Sequence, residues 1–150
     1  MYLAATLLLA TLLPATQPQS LADLRDRARV LLVFAPSDRD PIYQQQLTLL
    51  HNKQAEMNER DLVVVPILAQ QGTPTSANTL RSLGQSGISN DEQLATRQRY
   101  HVGLDEFAAI LLGKDGGEKL RSKIPISTEK LTTLIDTMPM RKDEIRARKQ

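Results

Sequence analysis

The sequence predicts an α/β domain in which a parallel βαβ unit is followed by an antiparallel hairpin, with helices on both sheet faces. Three observations carry that expectation. Val30–Ala35 and Leu62–Leu68 are continuous apolar, β-branched runs, the pattern of strands buried on both faces of a sheet. A segment of helical period, with Tyr43, Leu47, Leu50 and Met57 recurring and Gln54 as a polar break, lies between them. Lys114-Asp115-Gly116-Gly117 then has the chemistry of a tight hairpin turn between two more strand-like runs.

Taken from the N-terminus, Leu3–Leu13 is an uncharged run of Leu, Ala and Thr, and the first charged side chain is Asp23. As a helix it rises about 16 Å, roughly half of a ~30 Å hydrocarbon core, so it is too short to span a membrane and suits the apolar part of a secretory signal. Small residues at Ala15 and Thr16, among prolines, fit a cleavage region, although Met1-Tyr2 supplies no Lys or Arg. The alternative is a buried N-terminal helix. The expectation is a signal peptide over 1–20, a domain over 21–140 and a charged tail over 141–150, giving an exported chain, periplasmic or extracellular, with no integral span in its mature form.

Leu21–Arg29 reads as a short amphipathic lead-in to the first strand, which Pro36 should stop. Asp40 can cap the following helix and Pro41 suits its first position. Pro66 marks the second strand as an edge or as near its terminus. Residues 72–90, rich in Gly, Ser, Thr, Asn and Pro with Arg81 the single charge, read as a long surface loop. A helix over about Asp91–His101 should bury Leu94 and Tyr100. Phe107–Leu112 and Glu118–Ile124 form the hairpin strands. Ser127 caps a last helix, with Ile126 and Leu131 placed as a hydrophobic staple and Leu131, Leu134, Ile135 and Met138 as its stripe. Met138-Pro139 ends that helix, and the tail beyond reads as solvated.

This order of elements is the thioredoxin-like arrangement. A small doubly wound α/β domain is the runner-up, but the hairpin turn stands where that fold needs a helix.

Composition removes several function classes. The chain has 150 residues, 41% hydrophobic and 24% charged, with 3% aromatic and no Cys or Trp. Disulfides, thiolate nucleophiles, iron–sulfur clusters and Cys-ligated zinc are therefore excluded. The last ten residues hold five of the 19 cations and two of the 17 anions, so the body carries 14 against 15. A nearly neutral body poor in aromatics argues against nucleic acid as a partner. His51 and His101 stand fifty residues apart without an i, i+4 pair, so they read as ordinary histidines rather than zinc or iron ligands, and neither a metal nor a cofactor is expected.

Several segments together resemble the bacterial domain-of-unknown-function family 4174. They are Arg29-Val30-Leu31-Leu32-Val33-Phe34-Ala35-Pro36, Arg60-Asp61-Leu62-Val63-Val64-Val65, Leu112-Gly113-Lys114-Asp115-Gly116-Gly117 with Lys119-Leu120-Arg121-Ser122, and Ile135-Asp136 with Met138-Pro139-Met140-Arg141. The resemblance covers roughly Leu21–Arg146 and implies a thioredoxin- or peroxiredoxin-like fold, related to domains in animal extracellular-matrix and sushi-repeat proteins. Where thioredoxins carry their Cys pair this sequence reads Asp38-Arg39-Asp40-Pro41. Where peroxiredoxins carry a Thr and the reactive Cys it has Asp40 and Tyr43, and Phe107-Ala108 stands where thioredoxins place a proline. Arg121 resembles the Arg that peroxiredoxins bring to their active loop. Thiol–disulfide and thiol-peroxidase chemistry are therefore excluded.

The expected function is a redox-inactive module binding an envelope or extracellular protein or peptide through Ser37, Asp38, Arg39, Asp40 and Arg121, with no catalytic residue assigned. The N-terminal end of the helix there favours anions, though Asp38 and Asp40 oppose one and can fill the cap themselves. The alternative is a cysteine-independent enzyme with Asp38 or Asp40 as acid or base and Arg39 as electrostatic stabiliser. A third reading places Arg141–Lys149 against anionic lipid, with a solvated helix end as its plainer account.

Overall fold

The computed structural model describes residues 20–70 and 88–149. The expected signal segment and most of the expected 72–90 loop lie outside those residues. Among the described residues four strands form one mixed sheet: β1 (Arg29–Ser37), β2 (Leu62–Gln70), β3 (Ala108–Leu112) and β4 (Glu118–Ser122), in the order β2-β1-β3-β4. β1 pairs in parallel with β2, from Arg29 opposite Leu62 to Ser37 opposite Gln70. β3 runs antiparallel to β1, with Val30 opposite Leu112 and Phe34 opposite Ala108, and β4 returns antiparallel to β3. This antiparallel pair excludes the doubly wound alternative.

Side-chain alternation along the central strand builds two core layers. Leu31, Val33 and Ala35 face Tyr43, Leu50, Met57, Leu131 and Ile135 from helices α1 (Pro41–Leu50), α2 (Gln54–Glu59) and α4 (Thr128–Thr137). Val30, Leu32 and Phe34 face Leu24, Ile88 and Val102, with Tyr100 at the end of α3 (Asn90–Tyr100) packed against them. With both faces covered, neither apolar run needs to alternate with polar residues, which is why both read as unbroken in the sequence.

The turn chemistry is as expected. Gly116 N donates to Gly113 O at 2.9 Å, and Gly116 takes φ +78°, the left-handed conformation that a glycine supplies without strain. Ser127 accepts from Lys130 N at 3.2 Å to cap α4, and Ile126 and Leu131 are both buried. Pro66 lies opposite Val33 in β2, which is an edge of the described sheet.

Four expectations are corrected. Pro36 does not stop β1, which continues to Ser37: the register passes over Pro36, and β3 has already ended opposite Phe34, so no donor is missed on that side. The helix over Tyr43–Met57 is two helices, broken where Asn52 takes φ +60°. Leu94 is not a core residue but 53% exposed; Gln93, Thr96 and Arg97 are the buried positions of α3. The apolar face expected there is polar because it meets open backbone groups at the strand ends: Gln93 Oε1 accepts from Leu68 N on the edge strand at 2.9 Å.

The fourth correction concerns the C-terminus. Met138-Pro139 ends α4 but also begins α5 (Pro139–Arg148), with Pro139 at its first position. Far from being solvated, Arg141 is 1% exposed. It donates to Glu59 Oε1 at 3.0 Å and Asp136 Oδ1 at 3.3 Å, while Glu144 meets Arg29 at 3.1 Å and Lys114 at 2.8 Å. These pairs hold α5 against the start of β1, the end of α2 and the hairpin turn. Arg141 is thereby removed from any basic surface patch, which weakens the lipid-contact reading of this segment.

Candidate functional site

β1 delivers the chain to the C-terminal end of the sheet, the place where open α/β sheets present ligand-binding loops. Ser37 ends the strand, Asp38-Arg39 turn, and Asp40 N donates to Ser37 O at 3.3 Å. Asp40 is the N-cap of α1, its Oδ1 accepting from Tyr43 N at 2.8 Å, with Pro41 setting the first helical turn. Gln44 Nε2 reaches back to the Asp38 carbonyl. The turn is thus fixed at both ends, and Asp40 itself takes up one of the N–H groups that an anion would use. Asp40→Ala is expected to cost about 1 kcal/mol by orphaning the Tyr43 N–H, measurable as a lower urea midpoint with unchanged m.

Tyr43, at the position corresponding to the reactive Cys in the peroxiredoxin register, is 1% exposed and packed in the α1-side core. Its hydroxyl has no hydrogen-bond partner among the described residues. Burial first, and then the negative charge of Asp38, push the phenol well above its ordinary value of 10.0, so it stays neutral. No nucleophile stands where the thiol of active relatives would be.

Arg121 does not join this turn. It lies on β4 opposite Ile110, which is opposite Leu32, so it is level with the middle of β1. Six residues of strand, about 20 Å, separate that level from Asp38. Its guanidinium is held by Glu118 at 2.8 Å and by the Tyr100 carbonyl at 2.9 Å. Ser37, Asp38, Arg39 and Asp40 therefore form one contiguous turn, and Arg121 is elsewhere. His51 caps α1 and His101 caps α3, both exposed. Among the described residues no group of three His, Asp or Glu side chains is placed to hold a metal.

The residue that organises this end of the molecule escaped the sequence reading. Arg97, 3% exposed, donates to the carbonyls of Ala35, Ile67 and Gly103, the Ile67 bond at 2.9 Å, and lies 5.7 Å from the centre of the Phe34 ring. One guanidinium thus joins the ends of β1 and β2 to the loop before β3. That loop carries Leu104, 62% exposed, to the same end of the sheet as the exposed Arg39 and Ile42. The available signal was the polar spacing Gln93, Thr96, Arg97, a helical face with no apolar member until Tyr100 at its end.

Comparison with known proteins gives the same fold. The family model described as "Domain of unknown function (DUF4174)" matches residues 20–144. The human sushi repeat-containing protein SRPX is 28% identical over 120 residues, covering 80% of this chain and 25% of that protein. Coiled-coil domain-containing protein 80 of Danio rerio is 26% identical over 140 residues, covering 88% and 16%. The chain therefore spans a quarter or less of these curated relatives. Among solved structures, a reduced 2-Cys peroxiredoxin of Plasmodium vivax matches at TM-score 0.58 and 16% identity, covering 82% of this chain and 84% of that one. A secreted Mycobacterium tuberculosis disulfide oxidoreductase matches at 0.58 and 16%, covering 78% and 86%. These likenesses show a thioredoxin-like fold, here in a chain without cysteine.

Proposed function

The chain belongs to the DUF4174 family, and from that premise we propose that it is an exported, redox-inactive thioredoxin-like module that binds a protein or peptide partner through the end of the sheet after β1. The observation that carries this reading is the end of the sheet tied together by Arg97: exposed Leu104 from one loop lies at the same end as exposed Arg39 and Ile42 from another. Two aliphatic side chains and a cation suit an extended segment with apolar and acidic residues. Arg39 makes no ion pair among the described residues. Asp40 serves the helix cap instead of chemistry, and the thiol position holds a neutral, buried phenol. Export rests on the uncharged apolar run Leu3–Leu13, and among the described residues no helix is long and apolar enough to cross a membrane.

The test is photo-crosslinking in the native envelope from a probe amino acid at Arg39, at Leu104 or, as control, at Lys130 on α4. A discrete adduct of one mass from positions 39 and 104, and none from 130, is the expected result. Absence of adducts from a folded, exported chain, or equal labelling from all three positions, would remove the binding-module reading.

A further inference from the structure

We propose that the cavity at the opposite end of the sheet, enclosed by the 3₁₀ turn Ala22–Leu24, α3 and the β3–β4 turn, binds a small amphiphilic carboxylate, with Arg25 and Arg99 taking its head group and Leu24, Ala28, Val30 and Leu112 its apolar chain. This second site is independent of the surface after β1: Val30 and Ser37 are seven residues apart, roughly 23 Å along the strand.

The cavity holds about 510 Å³, inside the range of roughly 300–1,000 Å³ typical of small-molecule sites. Its four apolar wall residues belong to the buried layer beneath α3, so an aliphatic chain entering it would continue the core. The charges at its mouth are unequally satisfied. Glu92 Oε1 accepts from Leu21 N at 2.7 Å, and Asp115 is paired with Lys119 at 2.8 Å and accepts from Gly117 N at 3.0 Å. Arg25 and Arg99, by contrast, make no ion pair among the described residues. Arg99 is exposed and lines the cavity, its guanidinium 5.8 Å from the centre of the Tyr100 ring, so its N–H donors are open to an entering head group. An apolar slot flanked by two guanidinium groups without an ion pair among the described residues matches a carboxylate on an aliphatic chain: the walls cover the chain, and charge-assisted hydrogen bonds hold the head.

The experiment is a fluorescence titration of the full chain with dansyl-undecanoic acid, followed by displacement with decanoate and with decanol. Saturable binding is expected, with decanoate displacing the probe about tenfold better than decanol. Arg25→Gln with Arg99→Gln should erase that preference while leaving decanol unchanged. Ala95→Trp, at an exposed α3 position lining the cavity, should abolish binding of both. All three substitutions are of exposed side chains, and unchanged melting curves establish that the variants fold. No saturable binding overturns the proposal; so does equal displacement by the acid and the alcohol, or indifference to Ala95→Trp.

Discussion

Replacing Glu144 with Ala is expected to lower the unfolding free energy by about 3 kcal/mol and the melting temperature by roughly 10 °C. Glu144 sits among three cations: its Oε1 receives Arg29 at 3.1 Å and Lys114 at 2.8 Å, and its Oε2 receives Arg141 at 3.5 Å. The three do not lose equally when it goes. Lys114 keeps Asp61 at 2.8 Å, and Arg141 keeps Glu59 and Asp136. Among the described residues Arg29 keeps only the Arg60 carbonyl at 2.8 Å, and its side chain is 1% exposed. An unpaired buried guanidinium is the costly product, since breaking a buried pair from one side leaves a charge that neither water nor a counterion reaches. Alanine is the best helix former, so the loss cannot come from the propensity of α5. Arg29→Met in the Glu144→Ala background is therefore expected to recover part of the loss, and a strictly additive double variant would contradict this account.

The same carboxylate sets a pH dependence. Burial alone would raise its pKa, but hydrogen bonds from Lys114 and Arg29 outweigh it and hold the group at about 2, against 4.5 in the unfolded chain. Because the folded value is depressed, the stabilisation is complete above about pH 4.5 and fades as the pH falls towards 2. The stability gap between wild type and Glu144→Ala should thus be widest near neutrality and narrow between pH 4.5 and 2. A gap that stays constant over that window would place the effect of Glu144 in packing instead of charge.

What the sequence made legible follows from where its side chains point. β1 and β2 are buried on both faces, so their apolar runs announced themselves, and the local signals of Asp40-Pro41, Ser127 and Lys114–Gly117 each need only a few neighbouring residues. What stayed hidden depends on partners far along the chain. Arg141 looks like part of a solvated basic tail until Glu59, 82 positions earlier, is seen beside it. Gln46, the last of three consecutive glutamines, carries no local sign of burial, yet its amide exchanges two hydrogen bonds with the backbone of Ile126, at 2.8 and 2.9 Å. In the candidate site, the turn Ser37–Asp40 was readable because strand, turn and cap are contiguous, whereas Arg121 was misplaced because its level in the sheet is fixed only by the β3–β4 register. The contribution of Leu104 to that surface depends on the loop before β3 being tied to β1, which no local pattern encodes.

That tie is what the second large prediction addresses. Arg97→Met is expected to destabilise the protein by about 2–3 kcal/mol, and to loosen the Gly103–Leu104 loop more than the rest of the fold. Two effects oppose each other. Arg97 makes no ion pair among the described residues, and burial pulls its pKa down despite the attraction of Glu106, so removing the charge relieves a desolvation cost. Against that, the carbonyls of Ala35, Ile67 and Gly103 all lose their guanidinium donor together, in a place where Met offers none; Gly103 O keeps Glu106 N at 3.3 Å, but a buried acceptor left without a donor costs about 1–3 kcal/mol. Three losses outweigh one relief. Lysine keeps the charge but has no planar fork to span three carbonyls, so Arg97→Lys should recover less than half of the stability. Amide hydrogen exchange should show faster opening across 102–106 in Arg97→Met while the 37–43 turn, fixed by Asp40 and Gln44, keeps its protection. In the crosslinking experiment the same variant should lose the adduct from position 104 and keep the one from position 39. A variant as stable as wild type, with exchange unchanged at the loop, would show that the fold holds those two loops together without this guanidinium, and the proposed recognition surface would then shrink to the β1 turn alone.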